Sequence, residues 1–264
     1  GLWVTKFMRP ISPAIHISHL SELKQIILQP DHIQIGAGVS YSESAPVLNV
    51  EFPHLAQFWN RIAGWQVRNM GTLGGNIANG SPIGDMPPVF IALGATLTLR
   101  SKDKRRTLPL ENYFLAYGKQ DRHPGEFIET LTLPRRSPDS LNAAYKVSKR
   151  RDDDISSVCV GFHIGLDSTG KIRTARVAFG GMAGVPKRAT TAEKTLIGKR
   201  FTEDNLHAAA QTLPQDFTPL SDGRASANYR MRVAQNLFRR FYNDHTPEAK
   251  PDLRPIPILT GVGR

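Results

Sequence analysis

The densest run of chemistry-bearing residues is Arg68-Asn-Met-Gly-Thr-Leu-Gly-Gly-Asn-Ile-Ala-Asn-Gly-Ser-Pro-Ile-Gly-Asp85, a stretch rich in glycine and asparagine. Glycine is required where backbone adopts positive φ or approaches a ligand closely. Such a loop can point consecutive N–H groups into one concavity that takes an anion or a carbonyl-rich ring. Asn76 and Asn79 add side-chain donors and acceptors, and Asp85 can accept from hydroxyls. The stretch fits neither G-x-G-x-x-G nor G-x-x-x-x-G-K-[ST]. On its glycines alone it reads equally as a tight structural turn. A second charged group, Lys146 with the run Arg150 to Asp154, reads on its residue types alone as a strand lysine and a self-neutralising turn. No Ser/His/Asp or Cys/His nucleophile arrangement is visible. Cys159, among Val158, Val160 and Phe162, reads as a small buried hydrophobe, and His163 on the same strand as structural. His16 and His19 have no third ligand near them, so no metal site is expected.

The surrounding pattern must position these residues. Residues 14–20 alternate apolar and polar, the period of a half-buried strand. Ser21 then reads as the cap of a helix. His32 to Ile35 is a strand running into the glycine turn Gly36-Ala-Gly. Residues 51–66 read as one helix, with Leu55, Phe58, Trp59 and Ile62 at helical spacing. Residues 68–85 are a long loop, followed by a buried helix from Phe90 and strands at 96–100 and 126–133. Residues 134–140 make a boundary. Beyond it come strands at 144–148, 157–166 and 171–181, the last two a hairpin turned at Asp167 to Gly170. A helix capped by Thr202 follows, then one over 226–243 with Tyr229, Val233, Leu237 and Phe241 along its core face. Trp3, Trp59 and Trp65 are expected as packing anchors. Runs of strands and then of helices indicate α+β. The division is 1–138, 139–245 and a proline-rich tail, 246–264.

The 264 residues suffice for a substantial core. No uncharged apolar run reaches a membrane span, so no membrane partner is expected. A single cysteine excludes a disulfide framework and any iron–sulfur or thiolate zinc site held by this chain alone, and makes a cytoplasmic setting the default. The net charge of +11 sits in the middle third, where residues 101–200 carry 20 basic against 11 acidic groups. Its clusters lack interleaved aromatics, so nucleic acid is not the expected partner. The opening Gly-Leu-Trp-Val carries no Met or signal-like segment and reads as the interior of a domain.

Taken whole, residues 68–95 resemble the flavin loop of the FAD-binding subunit in the molybdenum hydroxylases, the xanthine dehydrogenase family. Leu2 to Lys6, Ala144 to Ile155, Phe179 to Arg188 and Ser221 to Arg230 resemble further stretches of it in the same order. The resemblance covers about residues 1–244. It implies an FAD-binding domain of the vanillyl-alcohol oxidase type, followed by a domain like the C-terminal one of the carbon monoxide dehydrogenase flavoprotein. It implies FAD that takes electrons from two [2Fe–2S] clusters, fed by a molybdopterin centre that hydroxylates a purine, and passes them to NAD+. The partners implied are a molybdopterin-binding large subunit and an iron–sulfur domain or upstream fragment, in a heteromeric assembly. The cofactor contacts implied are Ile62, Thr72, Leu73, Gly74, Gly75, Asn76, Asp85, Ile128 and Lys146, with Arg150 to Asp154 beside the ring face that nicotinamide approaches. The family's first, pyrophosphate-holding flavin loop lies before Gly1. Without several charge-assisted hydrogen bonds of roughly 1.5–3 kcal/mol each, these residues alone should bind FAD weakly. The alternatives are the flavin module of an N-heterocycle or carbon monoxide type hydroxylase, or an assembly module without FAD.

Overall fold

The computed structural model describes residues 2–5 and 7–246. A short helix α1 (Leu2–Thr5) precedes an irregular segment that reaches the 3-10 turn Ser21–Lys24. Then follow β1 (Ile26–Leu28), β2 (His32–Gly36), α2 (Tyr41–Glu51), α3 (Ala56–Trp59), α4 (Trp65–Met70), α5 (Leu73–Asn79) and α6 (Met86–Ala92). Next are β3 (Thr96–Ser101), β4 (Lys104–Pro109), β5 (Phe114–Ala116), β6 (Lys119–Gln120) and β7 (Phe127–Pro134). The second half holds β8 (Ser140–Val147), β9 (Val158–Leu166), β10 (Ile172–Gly180), β11 (Lys187–Arg188), α7 (Thr190–Leu196), α8 (Glu203–Gln211), α9 (Leu213–Asp216) and α10 (Ala227–His245).

One antiparallel sheet has the order β1-β2-β7-β3-β4 and a second β11-β10-β9-β8. The expected α+β class holds. Sheet and helices of the first half enclose one apolar core, and the second sheet with α7, α8 and α10 encloses another. Cys159 and Ala178 of the second sheet belong to the first core. The sheet's face is therefore shared, and α6 lies flat on it. Gly161 permits that approach: a Cβ there would stand 2.7 Å from Val89 Cα and 2.9 Å from the Pro88 carbonyl oxygen.

Several expectations are corrected. Residues 14–20 form no strand. Ile15 is 91% exposed and Ile17 54%, because their alternation finds no neighbouring strand to complete a ladder. Ser21 opens only a 3-10 turn, with Leu20 at the cap position. The single helix over 51–66 is broken: α2 ends at Glu51, Pro53 begins a 3-10 turn, α3 stops at Trp59 and Ala63 has φ of 45°. Leu55, Phe58, Trp59 and Ile62 are nevertheless buried, as their spacing requires. Trp65 is 67% exposed, not an anchor. The loop over 68–85 contains α5, and α10 turns Arg230 inward while Tyr229 is 48% exposed. The hairpin at Asp167 to Gly170, the Thr202 cap and the buried Cys159 are as expected. The side chain of Trp3 and most of the tail lie outside the described residues.

Candidate functional site

The glycine segment is folded by its own sequence against the turn after β2. Ser40 and Thr72 pair as an isolated bridge, and Tyr41 N–H donates to Gly71 O. Leu73 N–H donates to Val39 O and Gly74 N–H to Ala37 O, at 3.0 and 3.1 Å. Thr72 caps α5 by accepting from Gly75 N–H at 3.0 Å, and Asn76 N–H donates to Thr72 O. Each of these four amides has a protein acceptor. The loop is thus not an open nest of N–H groups but the tight structural turn that its glycines equally allow. Gly74 serves close packing: a Cβ there would lie 2.5 Å from Ala37 Cβ. A Cβ at Gly75 would meet only the cap hydroxyl of Thr72, 2.9 Å away. Asn76 presents a buried Oδ1 with no partner among the described residues. A buried acceptor left unpaired costs roughly 1–3 kcal/mol, so this oxygen is free to take a donor.

Asp85 stands at the start of α6 but does not cap it. Pro87 and Pro88 remove two of the N–H groups it would serve. Its carboxylate instead reaches the second sheet. Lys146 Nζ donates to Oδ2 at 2.7 Å and Ser156 Oγ to Oδ1 at 2.5 Å, while Cys159 Sγ donates to the Asp85 carbonyl at 3.3 Å. The Lys146 side chain is 2% exposed and that of Asp85 12%. Lys146 is thus a buried cation, not the surface strand lysine its residue type suggests, and it faces Cys159 across the β8–β9 pair. Burial, and then the Asp85 charge, push the Cys159 thiol up. The same two causes in the same order push up the phenol of buried Tyr41. Tyr41 also touches the loop, since a Cβ on Gly71 would come within 3.1 Å of its ring. Its ring therefore packs on the glycine segment, and its phenol lies within electrostatic reach of Asp85. Sequence reasoning missed Tyr41 and Ser156; neither carries a motif.

Ile62 and Ile128 are buried in the first core, 4% and 6% exposed. The charged turn closes on itself: Arg150 N–H donates to Asp154 Oδ2, and Arg150 Nη2 to Asp153 O. That first bond holds the Asp154 carboxyl below its usual range. Arg61 ties the turn to the first half by donating to Arg151 O and Ser148 Oγ, 2.8 and 3.0 Å. The basic cluster at 102–106 is largely spoken for, because Arg105 pairs with Glu129 and Arg106 with Asp121 and Glu126. Among the described residues no His, Cys, Asp and Glu group could hold a metal, and no helix is long and apolar enough to cross a membrane.

Residues 1–136 match the family described as the FAD binding domain in molybdopterin dehydrogenase, and residues 143–245 the carbon monoxide dehydrogenase flavoprotein C-terminal domain. The chain belongs to this FAD-binding family of molybdenum hydroxylases. Family members include a xanthine dehydrogenase of Emericella nidulans, 34% identical over 88% of this chain but only 18% of that protein. The chain thus spans about a fifth of that relative's length. The glyceraldehyde dehydrogenase medium chain of Sulfolobus acidocaldarius is 31% identical over 90% of this chain and 85% of its own. Among solved structures, carbon monoxide dehydrogenase from Hydrogenophaga pseudoflava superposes with a TM-score of 0.80 and 29% identity, covering 85% of this chain and 78% of that one. The chain carries the FAD-binding domain first and the flavoprotein C-terminal domain second.

Proposed function

We propose that residues 1–138 and 139–245 hold FAD between them, with Thr72, Leu73, Gly74, Gly75 and Asn76 on one side and Asp85 and Lys146 on the other. Ile62 and Ile128 contribute apolar edges. The observation that carries this is the buried Lys146–Asp85 pair, together with a glycine loop whose Asn76 Oδ1 lacks a partner among the described residues. The polar groups fit a multiply hydrogen-bonding cofactor: an amide oxygen and a carboxylate that accept, an ammonium that donates, and the exposed backbone at Gly75. FAD, when bound, supplies the electron-transfer chemistry, and the protein orients it and tunes its surroundings. Lys146 sets a positive charge where reduced flavin gathers negative charge. Asp85 holds that ammonium, Asn76 offers an acceptor, and Gly75 allows close approach.

In this reading electrons come from [2Fe–2S] clusters, fed by a molybdopterin-binding large subunit that hydroxylates a purine, and leave to NAD+. The assembly is heteromeric and cytoplasmic. A carbon monoxide or aldehyde substrate at the large subunit is the second reading, favoured by the likeness to the carbon monoxide and glyceraldehyde enzymes. The test is anaerobic mixing of the FAD-loaded assembly with NADH, and separately with xanthine, carbon monoxide and glyceraldehyde. Loss of the visible flavin band with NADH and xanthine supports the first reading. No bleaching by NADH removes NAD+ from the account, and reduction by another donor alone replaces the purine.

A further inference from the structure

Asp85 is gripped at both carboxylate oxygens, and the second grip comes from a residue with no surface at all. Ser156 is 0% exposed. A buried hydroxyl is costly unless it is hydrogen-bonded, and this one donates to Asp85 Oδ1. Its backbone is fixed on either side. Asp154 Oδ1 accepts from Ile155 N–H, and Ser157 N–H donates to Val147 O at 2.8 Å. The Ser157 carbonyl accepts from buried Arg230, whose guanidinium also binds Gly181 O and Asp222 Oδ1. Gly181 N–H in turn donates to Pro82 O at 2.7 Å, within the loop that ends in Asp85. The hydroxyl is therefore set in place before any ligand arrives. With Oδ1 held, the carboxylate plane cannot turn, and Oδ2 stays on the Lys146 ammonium.

We propose that Ser156 is a positioning residue, which fixes the Asp85 carboxylate and through it the direction of the Lys146 ammonium toward the flavin. This rests on the reading that Asp85 and Lys146 contact FAD.

The test compares Ser156→Ala and Ser156→Thr with wild type in the full chain, with two readouts. The first needs no flavin: a pulse of acetic anhydride, with Lys146 acetylation measured by mass spectrometry relative to exposed Lys102. The second is the FAD dissociation constant by fluorescence quenching, in each variant and in Lys146→Met. Loss of one hydrogen bond to a charged group should raise Lys146 labelling and the FAD dissociation constant by about tenfold or more in Ser156→Ala. Ser156→Thr, which keeps the hydroxyl, should lie closer to wild type than Ser156→Ala in both readouts. A purely structural serine would lower the urea midpoint without changing Lys146 labelling under native conditions, and that result overturns the proposal. Raised labelling with unchanged FAD affinity also overturns it, because the positioned pair then does not serve the flavin. If Lys146→Met binds FAD as wild type does, the underlying site reading fails whatever Ser156 does.

Discussion

Replacing Lys146 with methionine keeps the length of the side chain and deletes its charge. Lys146 is 2% exposed and Asp85 12%, so the change leaves a carboxylate in a mostly dry site with Ser156 alone among the described residues to bind it. Removing one member of a buried ion pair costs about 3–5 kcal/mol, because the remaining charge is uncompensated. The retained Ser156 bond and the partial exposure of Asp85 place this case at the lower end, about 3 kcal/mol. At about 2–4 °C per kcal/mol for domains of 150–250 residues, the Tm should fall by about 6–12 °C. The assay is urea unfolding of wild type, Lys146→Met, Asp85→Asn and the double variant, with m held common. Neutralising the carboxylate should return about 2 kcal/mol of the loss, a coupling typical of residues in contact. A loss below about 1 kcal/mol with additive single effects would refute the argument that the pair is buried and mutually dependent.

Gly74→Ala should cost about 1–3 kcal/mol, because its methyl would lie 2.5 Å from Ala37 Cβ and 2.6 Å from the Ala37 carbonyl oxygen. It should also weaken FAD binding; unchanged thermal and FAD titration curves would show that the loop yields freely. His54 is held to a pKa of about 3 by burial first, then by the nearby His245, Arg136 and His163. The unfolded chain takes up this proton near pH 6.5, so the contribution is complete above that pH and is lost as pH falls toward 3. About 2 kcal/mol should be lost between pH 7 and 5, and His54→Gln should flatten that limb in urea midpoints.

What was legible in the sequence is what local pattern controls. Leu55, Phe58, Trp59 and Ile62 are buried at the spacing that marks them, even though Pro53 and the turn at Ala63 break the helix. The hairpin turned at Asp167 to Gly170 follows from its turn residues, and Gly170 takes φ of 76°. What failed depended on neighbours. Residues 14–20 carry a strand's alternation, but alternation without a partner strand makes no ladder. Trp65 looks like an anchor by type and is exposed, because α4 buries no residue. The glycine composition alone does not separate an open amide nest from a tight turn; the Ala37 and Val39 carbonyls, which take two of the amides while Thr72 takes the others, decide for the turn. The Lys146–Asp85 pair spans 61 residues and Ser156–Asp85 spans 71, so only the meeting of α6 with the second sheet reveals them.

The most direct measurement of the central claim is an FAD titration of the purified chain, followed by flavin fluorescence, beside Asn76→Ala and Lys146→Met. The account predicts saturable binding that each substitution weakens by about tenfold or more, as expected for a lost hydrogen bond to a charged or buried polar group. Binding that neither substitution alters would contradict the placement of FAD between the glycine loop and the Asp85–Lys146 pair.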